Sequence, residues 1–196
     1  MRKFRPTYWV CLTGSEDERY TSYVQLALHI GKVDVYAEES LNDVRRHLAI
    51  KVFIYRDMDD VRLAPFIHRL SSSTGRDKFK QILVDLNTGR NKENQRYFFF
   101  ETGSHFNERA KYDPVEDIDH IIRLFQTYNN PSKRLRSVEF TRHLDWEDRS
   151  IRDKLKKKKK AIDLITGEIQ CLLPLYYFIT GQDIKDNRKK EEAAHK

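Results

Sequence analysis

Residues 47–55 read HLAIKVFIY and are the most clearly patterned stretch of the chain. Apolar side chains alternate along it, so that Leu48, Ile50, Val52 and Ile54 would share one face of a strand. The enrichment in β-branched and aromatic residues also favours a strand over a helix. We therefore place this strand in a sheet within the predicted core.

Further elements are predicted on both sides of this strand, from periodicity and from turn or capping residues. Strands are expected at 6–13, 33–37, 82–86 and 97–101. Helices are expected at 15–30, at 59–70 and from Pro114 to Phe125, with a loop at 71–76. The sequence predicts an α+β fold in which an antiparallel sheet with flanking helices spans residues 1–130.

The break Asn129-Asn130-Pro131 is the predicted domain boundary. Residues 131–196 are expected to form a basic, mostly helical extension. It would contain a helix at 145–160, a hairpin at 162–171 that turns at Thr166-Gly167, and an apolar segment at 172–179. A charged tail is expected from Gln182 onward.

Composition narrows the class of protein. The chain has 196 residues, enough to bury a core, and its 12% aromatic content argues against disorder. Two cysteines, Cys11 and Cys171, exclude a disulfide scaffold and a multi-cysteine zinc site. No apolar run in the sequence approaches the roughly 18 to 20 residues that a membrane helix needs, so a membrane-embedded protein is not expected. We expect an intracellular protein, in the cytoplasm or a host nucleus, with no membrane partner.

The net charge of +7 is concentrated in one segment. Residues 131–160 hold twelve Lys or Arg and five acids, and twelve minus five accounts for the whole excess. Such a basic block favours a polyanion partner, usually nucleic acid. The candidate phosphate contacts are Arg134, Arg136, Lys154, Lys156, Lys157, Lys158, Lys159 and Lys160. A solvated helix face and a nuclear-import signal remain open as alternatives.

The signatures of the commonest cofactor enzymes do not occur. The sequence lacks the P-loop, the dinucleotide-binding glycine pattern, His-Glu-x-x-His and Gly-x-Ser-x-Gly. Any enzymatic activity must therefore be sought in a different chemistry.

Several short segments resemble the HUH-type endonuclease domain of rolling-circle replication initiators, the Rep proteins of small plasmids and circular single-stranded DNA viruses. Residues 8–13, YWVCLT, look like the first strand motif of that family, and residues 15–19, SEDER, follow it. Glu38-Glu39 precedes the strand at 46–52, and residues 94–97, NQRY, look like the tyrosine motif. The resemblance covers about the first 112 residues.

The resemblance implies metal-dependent nicking and joining of single-stranded DNA. Tyr97 would attack a phosphodiester, and His47 with Glu38 or Glu39 would hold Mg²⁺ or Mn²⁺. Two departures weaken this implied site. Position 49, where a second metal ligand would share the face of His47, is alanine, and position 100, where the family has a lysine, is phenylalanine.

Other interpretations of the same residues stay open. Tyr97 followed by three phenylalanines is typical of a buried strand, and Glu38 and Glu39 are typical of a solvated turn. The acids Asp113, Glu116, Asp117 and Asp119 could bind a metal near His120, or could simply decorate a helix N-terminus.

We expect nucleic-acid binding, with single-stranded DNA favoured over RNA and with nicking left open. The alternative is a non-enzymatic viral or mobile-element accessory protein that binds RNA or a protein partner through its basic C-terminal region. A homo-oligomer is compatible with either.

Overall fold

The computed structural model describes residues 8–11, 24–33, 45–55, 60–90, 97–103, 109–126, 137–145 and 148–181. Within these ranges lie six strands: β1 Tyr8–Cys11, β2 Val24–Val33, β3 Arg45–Tyr55, β4 Phe99–Gly103, β5 Arg109–Tyr112 and β6 Ser137–Asp145. The same described residues contain five helices: α1 Asp60–Ser71, α2 Ser73–Asn87, α3 Ile118–Gln126, α4 Arg149–Leu155 and α5 Lys158–Thr180.

The strands form one sheet in the order β1-β2-β3-β6-β4-β5, and every neighbouring pair is antiparallel. The predicted α+β class with an antiparallel sheet is confirmed. The strand at the centre of the sequence argument, β3, lies third in the sheet and pairs along most of its length with both β2 and β6.

One face of the sheet is covered by helices and carries the aromatic core. A row of side chains runs across it from Leu26 through Val52 and Phe140 to Phe100. Phe140 lies 6.2 Å from the ring of Phe79 on α2 and 6.4 Å from the ring of Phe125 on α3. Helices α1 and α5 add Phe66 and Phe178, so four helices meet over β6.

Local contacts fix how the helices join. Ser72 alone separates α1 from α2, and its hydroxyl accepts a hydrogen bond from the amide of Gly75 at 3.0 Å. A Cβ at Gly75 would overlap the carbonyl oxygen of Arg69, so the close approach of the two helices requires glycine. The Arg69 guanidinium in turn donates to the carbonyls of Phe178 and Ile179, which ties α1 to the C-terminal end of α5.

The predicted first helix is wrong over its second half. Residues 24–30, which were expected to be helical, lie in strand β2, where Leu26 and Ala27 are both buried although they face opposite sides of the sheet. A strand buried on both faces gives a continuous apolar run that periodicity cannot separate from a helix.

Three further predicted segments are helical instead. The predicted loop at 71–76 and the predicted strand at 82–86 fall on α1 and α2. The predicted hairpin at 162–171 lies within α5. Ser72 and Gly75 are residue types typical of a loop, but in the structure they allow two helices to join almost without a break.

Two elements of the predicted extension, β6 and α5, pack into the same core as the elements that precede residue 131. Strand β6 is hydrogen-bonded between β3 and β4, and α5 packs against β2 and β3. Residues 129–131, the predicted boundary, and the tail from 182 lie outside the described residues. The sheet therefore takes strands from both sides of the predicted boundary.

Helix α5 is long and apolar enough to cross a membrane by length and composition alone, with a mean hydropathy of 1.3 over its most apolar part. The sequence interpretation had divided this stretch into a hairpin and a short apolar segment, so it missed the feature. One side of the helix is buried in the core through Leu172, Leu175, Phe178 and Ile179. The apolar character of that side is accounted for by its packing on the sheet.

Candidate functional site

The sheet face opposite the helices is also buried, but it carries charge. Lys51 on β3 contacts Glu139 on β6, with 2.5 Å between Nζ and Oε2. On the same face, Nε2 of His143 lies 2.9 Å from Oε1 of Glu101 on β4. Glu101 and Glu139 are cross-strand partners, so two carboxylates face each other and each has its own basic partner. Each carboxylate thus has a hydrogen-bonding partner within the fold.

The pKa of Glu101 shows which of the effects around it prevails. Burial of its carboxyl opposes ionisation. The hydrogen bond and positive charge of His143, together with Lys111 and Lys51, outweigh the burial and hold the pKa of Glu101 below its ordinary value. Glu101 is therefore an ionised structural group rather than a proton donor at neutral pH.

Tyr97, the predicted nucleophile, lies just before β4 and is 6% exposed. Its hydroxyl donates to Oδ1 of Asp113 at 3.0 Å, and its ring lies 5.3 Å from that of Phe99. The next residue, Phe98, is fixed by Asn87, whose side-chain amide bonds both its N–H and its carbonyl. These contacts match a packed structural tyrosine and do not present its hydroxyl to a phosphate.

His47, the predicted metal ligand, lies in β3 opposite Gly31 of β2 and Asp145 of β6. Strand β6 separates β3 from β4, so two interstrand spacings of about 4.8 Å lie between the strand of His47 and the strand that Tyr97 precedes. Glu38 and Glu39 lie outside the described residues. Within the described ranges, no group of three or more His, Cys, Asp or Glu side chains could hold a metal ion.

The acidic cluster at 113–119 has structural roles. Asp113 accepts hydrogen bonds from the amides of Val115 and Glu116, and its own amide donates to Asp117. Asp119 lies 2.8 Å from the Nζ of Lys80, and that contact lowers the pKa of Asp119. The carboxylates thus organise the turn before α3, as expected for acids near a helix N-terminus.

The basic block is placed on the surface by α4 and the start of α5. Lys154 and all five lysines from Lys156 to Lys160 are exposed. Residues 149–162 hold eight Lys or Arg and one acid, Asp153, and eight minus one leaves +7 on this short segment. Arg134 and Arg136, the other predicted phosphate contacts, lie outside the described residues.

The position of the lysines is unfavourable for the helix that carries them. Helix α5 begins with Lys158, Lys159 and Lys160, has no acid in its first turn, and its N-cap Lys157 makes no side-chain capping bond. The N-terminus of a helix carries a partial positive charge, so cations there destabilise it. The neighbouring helix α4 has the usual arrangement, with Asp148 accepting from the amide of Ser150 at 2.7 Å.

A cavity of about 330 Å³ lies beside this segment, between the end of α2, β6, α4 and α5. Glu168 of α5 joins two cations in it: its Oε2 lies 2.9 Å from Arg90, and its Oε1 contacts Arg142. Lys154 of α4 also lines the cavity. The remaining lining residues are Thr88, Gly89, Ile151 and Leu164. Three basic side chains thus surround one carboxylate.

Sequence reasoning missed Arg90, Arg142 and Glu168. A signal for Arg142 was present: Val138, Phe140 and Leu144 form the core-facing row of β6, and Arg142 occupies the same row. A charge in a buried apolar row is unusual without a partner. Its partner, Glu168, is 26 positions later in a segment interpreted as a hairpin, so nothing in the sequence joined them.

No family model matches the chain, and neither a curated protein nor a solved structure is similar to it. The resemblance to rolling-circle initiators therefore stays a prediction from short motifs, and the candidate site is judged by its own chemistry.

Proposed function

We propose that this protein binds nucleic acid through the phosphate backbone, using the exposed basic surface formed by α4 and the first turn of α5. The observation that carries the proposal is the run Lys156 to Lys160, which is exposed throughout and whose last three lysines form the first turn of α5, where the helix dipole disfavours cations. Lysines in such a position do not stabilise the fold. They combine with the helix dipole to give a concentrated positive potential, which suits a polyanion.

Lysine is suited to backbone contact rather than to base reading, because its ammonium group is a point charge on a flexible stem. We therefore expect binding with little sequence preference and a strong dependence on salt. The resemblance to rolling-circle initiators makes single-stranded DNA the first ligand to test, with single-stranded RNA beside it. Nicking through Tyr97, with Mg²⁺ or Mn²⁺, is not needed for this function.

The test is a salt titration of binding to a labelled single-stranded oligonucleotide, followed by fluorescence anisotropy. Replacing Lys156 to Lys160 with alanine should weaken binding and flatten the plot of log affinity against log salt. Each phosphate of a single strand that the variant no longer neutralises lowers the slope by about 0.7, so five lysines give a change of up to about 3.5. The thermal midpoint of this variant should stay unchanged or rise, because alanine favours the helix and removes cations from its N-terminus.

The control removes two exposed cations elsewhere, Lys78 on α2 and Arg123 on α3. Its slope should change much less for each charge removed. An unchanged slope in the five-alanine variant would overturn the proposal, and so would an equal change per charge in the control. Binding to neither DNA nor RNA would leave the accessory-protein alternative.

The nicking prediction can be examined on the same complexes in Mn²⁺, run on a denaturing gel. A covalent adduct that disappears in Tyr97→Phe would establish the tyrosine as a nucleophile. The burial of Tyr97 and its bond to Asp113 lead us to expect no adduct.

A further inference from the structure

We propose that the cavity between α2, β6, α4 and α5 binds one phosphate monoester group, such as the terminal phosphate of a nucleic-acid strand whose backbone lies along the lysines. This inference rests on the proposed function and adds a specific ligand group to it. It starts from the four charged side chains that line the cavity, Arg90, Arg142, Lys154 and Glu168.

The charge of the lining fits a dianion. The charged side chains that line the cavity are three cations and one carboxylate, and three minus one gives a formal sum of +2. A phosphate monoester carries about −1.5 to −2 at neutral pH, whereas each phosphodiester within a strand carries a single charge. This formal sum matches a terminal phosphate better than an internal one.

The two arginines are held in place for such a ligand. Arg142 is 3% exposed at its side chain and Arg90 is 15% exposed, so a phosphate beside them would be only weakly screened by water. Glu168 contacts each of them through a different carboxylate oxygen, and the ring of Phe98 lies 4.9 Å from the Arg90 guanidinium. These contacts limit the movement of both guanidinium groups, whose planar forks suit phosphate oxygens.

Helical spacing connects the cavity to the lysine run. Leu164, which lines the cavity, is four residues from both Lys160 and Glu168, so each lies within about 40° of Leu164 around α5. Lys160 lies about 12 Å along the helix axis from Glu168. Lys158 and Lys159 lie about 120° and 140° around the helix from Leu164, since each residue turns the helix by about 100°. A nucleic-acid strand that contacts Lys160 can therefore extend along α5 to the cavity.

The alternative is that Arg90, Glu168 and Arg142 are only a structural clamp between α2, β6 and α5. A clamp would explain the ion pairs, but it would give no preference for a terminal phosphate. The two interpretations therefore differ in a binding measurement and not only in stability.

The experiment compares three oligonucleotides of one sequence, with a 5′-phosphate, a 3′-phosphate or no terminal phosphate. One of the phosphorylated forms should bind the wild-type chain about tenfold more tightly than the unphosphorylated form, as expected for charge-assisted hydrogen bonds. Lys154→Ala should reduce that preference with little change in the thermal midpoint, because Lys154 is exposed and lies at the edge of the ion-paired group. Arg90→Gln should abolish it.

The matched control is Lys158→Ala/Lys159→Ala, which removes two cations on other sides of α5. It should weaken the binding of all three oligonucleotides by the same factor and leave the preference for the terminal phosphate unchanged. Equal affinity of the wild-type chain for the three oligonucleotides would overturn the inference, while the salt-dependent loss in the five-alanine variant would still support the proposed function.

If no oligonucleotide binds, inorganic phosphate becomes the probe of the cavity. A rise in thermal midpoint that is lost in Arg90→Gln, and that sodium chloride at equal ionic strength does not produce, would then support phosphate binding in the cavity. No rise with phosphate would overturn the inference.

Discussion

The two faces of the sheet are both buried, yet they are held by different forces. The helix-covered face depends on aromatic rings that converge on Phe140, with the ring of Phe100 only 4.9 Å away. The opposite face holds the pairs Lys51–Glu139 and Glu101–His143. Removing a buried apolar side chain leaves a cavity and lowers the free energy of unfolding. Removing one partner of a buried ion pair lowers it for a different reason, because the remaining charge is left buried and unpaired.

The difference extends to the basic surface. The charged side chains on the sheet contact one another within the fold, so they are not available to bind a charged ligand. The lysines at the start of α5 are exposed and destabilise their own helix. A favourable interaction for them has to be with an anion outside the fold. Three measurements of stability test the difference between the two faces of the sheet.

The largest loss is expected for Phe140→Ala. This side chain is fully buried and contacts rings from β4, α2 and α3, so its removal leaves a cavity where three elements meet. The free energy of unfolding should fall by about 3 to 5 kcal/mol, measured by urea denaturation. Ile162→Ala, at a position that is 54% exposed, should change it by about 0.5 kcal/mol or less. A similar small loss for Phe140→Ala would show that the aromatic face is not the main source of stability.

The next loss is expected for Lys51→Met, which keeps the length of the side chain but removes its charge. Glu139 would then lie buried beside Glu101 without its ammonium partner, at a cost of about 3 kcal/mol. The double variant Lys51→Met/Glu139→Leu should recover most of this loss, because it removes the unpaired charge as well. If the double variant is as unstable as the single one, the polar face depends on more than charge pairing.

The smallest effect concerns pH. The pKa of Glu101 is lower in the folded chain than in the unfolded chain, where it is about 4.3. Glu101 therefore adds stability above that pH, and the addition is lost as the pH falls through the lowered value. In Glu101→Gln, stability should be lower at neutral pH and should decline less steeply in acid, measured by urea denaturation across this range.

Asp119→Asn is the control for the pH measurement. The pKa of Asp119 is also lowered, through Lys80, but this carboxylate lies on the surface. Added salt should remove most of the difference between Asp119→Asn and the wild-type chain, while the effect of Glu101→Gln should persist, because buried pairs are screened less. Equal salt sensitivity of the two variants would show that the polar face is open to solvent.

Much of the candidate surface could be read from the sequence, because charge is a local property. The run Lys156 to Lys160 is visible in the sequence, and the structure adds that it is exposed and that its last three lysines begin α5. The cavity could not be read in this way. Arg90, Arg142 and Glu168 are separated by 52 and 26 positions, and only the packing of α2 and α5 around β6 brings them together.

The antiparallel α+β class, strand β3, helix α1 and the location of the basic charge could all be predicted from the sequence. Each of these depends on local periodicity or composition, which neighbouring residues carry. Long-range contacts were needed to make 24–33 a strand and 73–87 and 158–180 helices, and to place β6 inside the sheet. Those segments are apolar on more than one side or contain Gly or Pro, so local preference does not select their conformation. Their conformation depends on contacts with residues far away in the chain, because burial against the sheet supplies the free energy that local preference lacks.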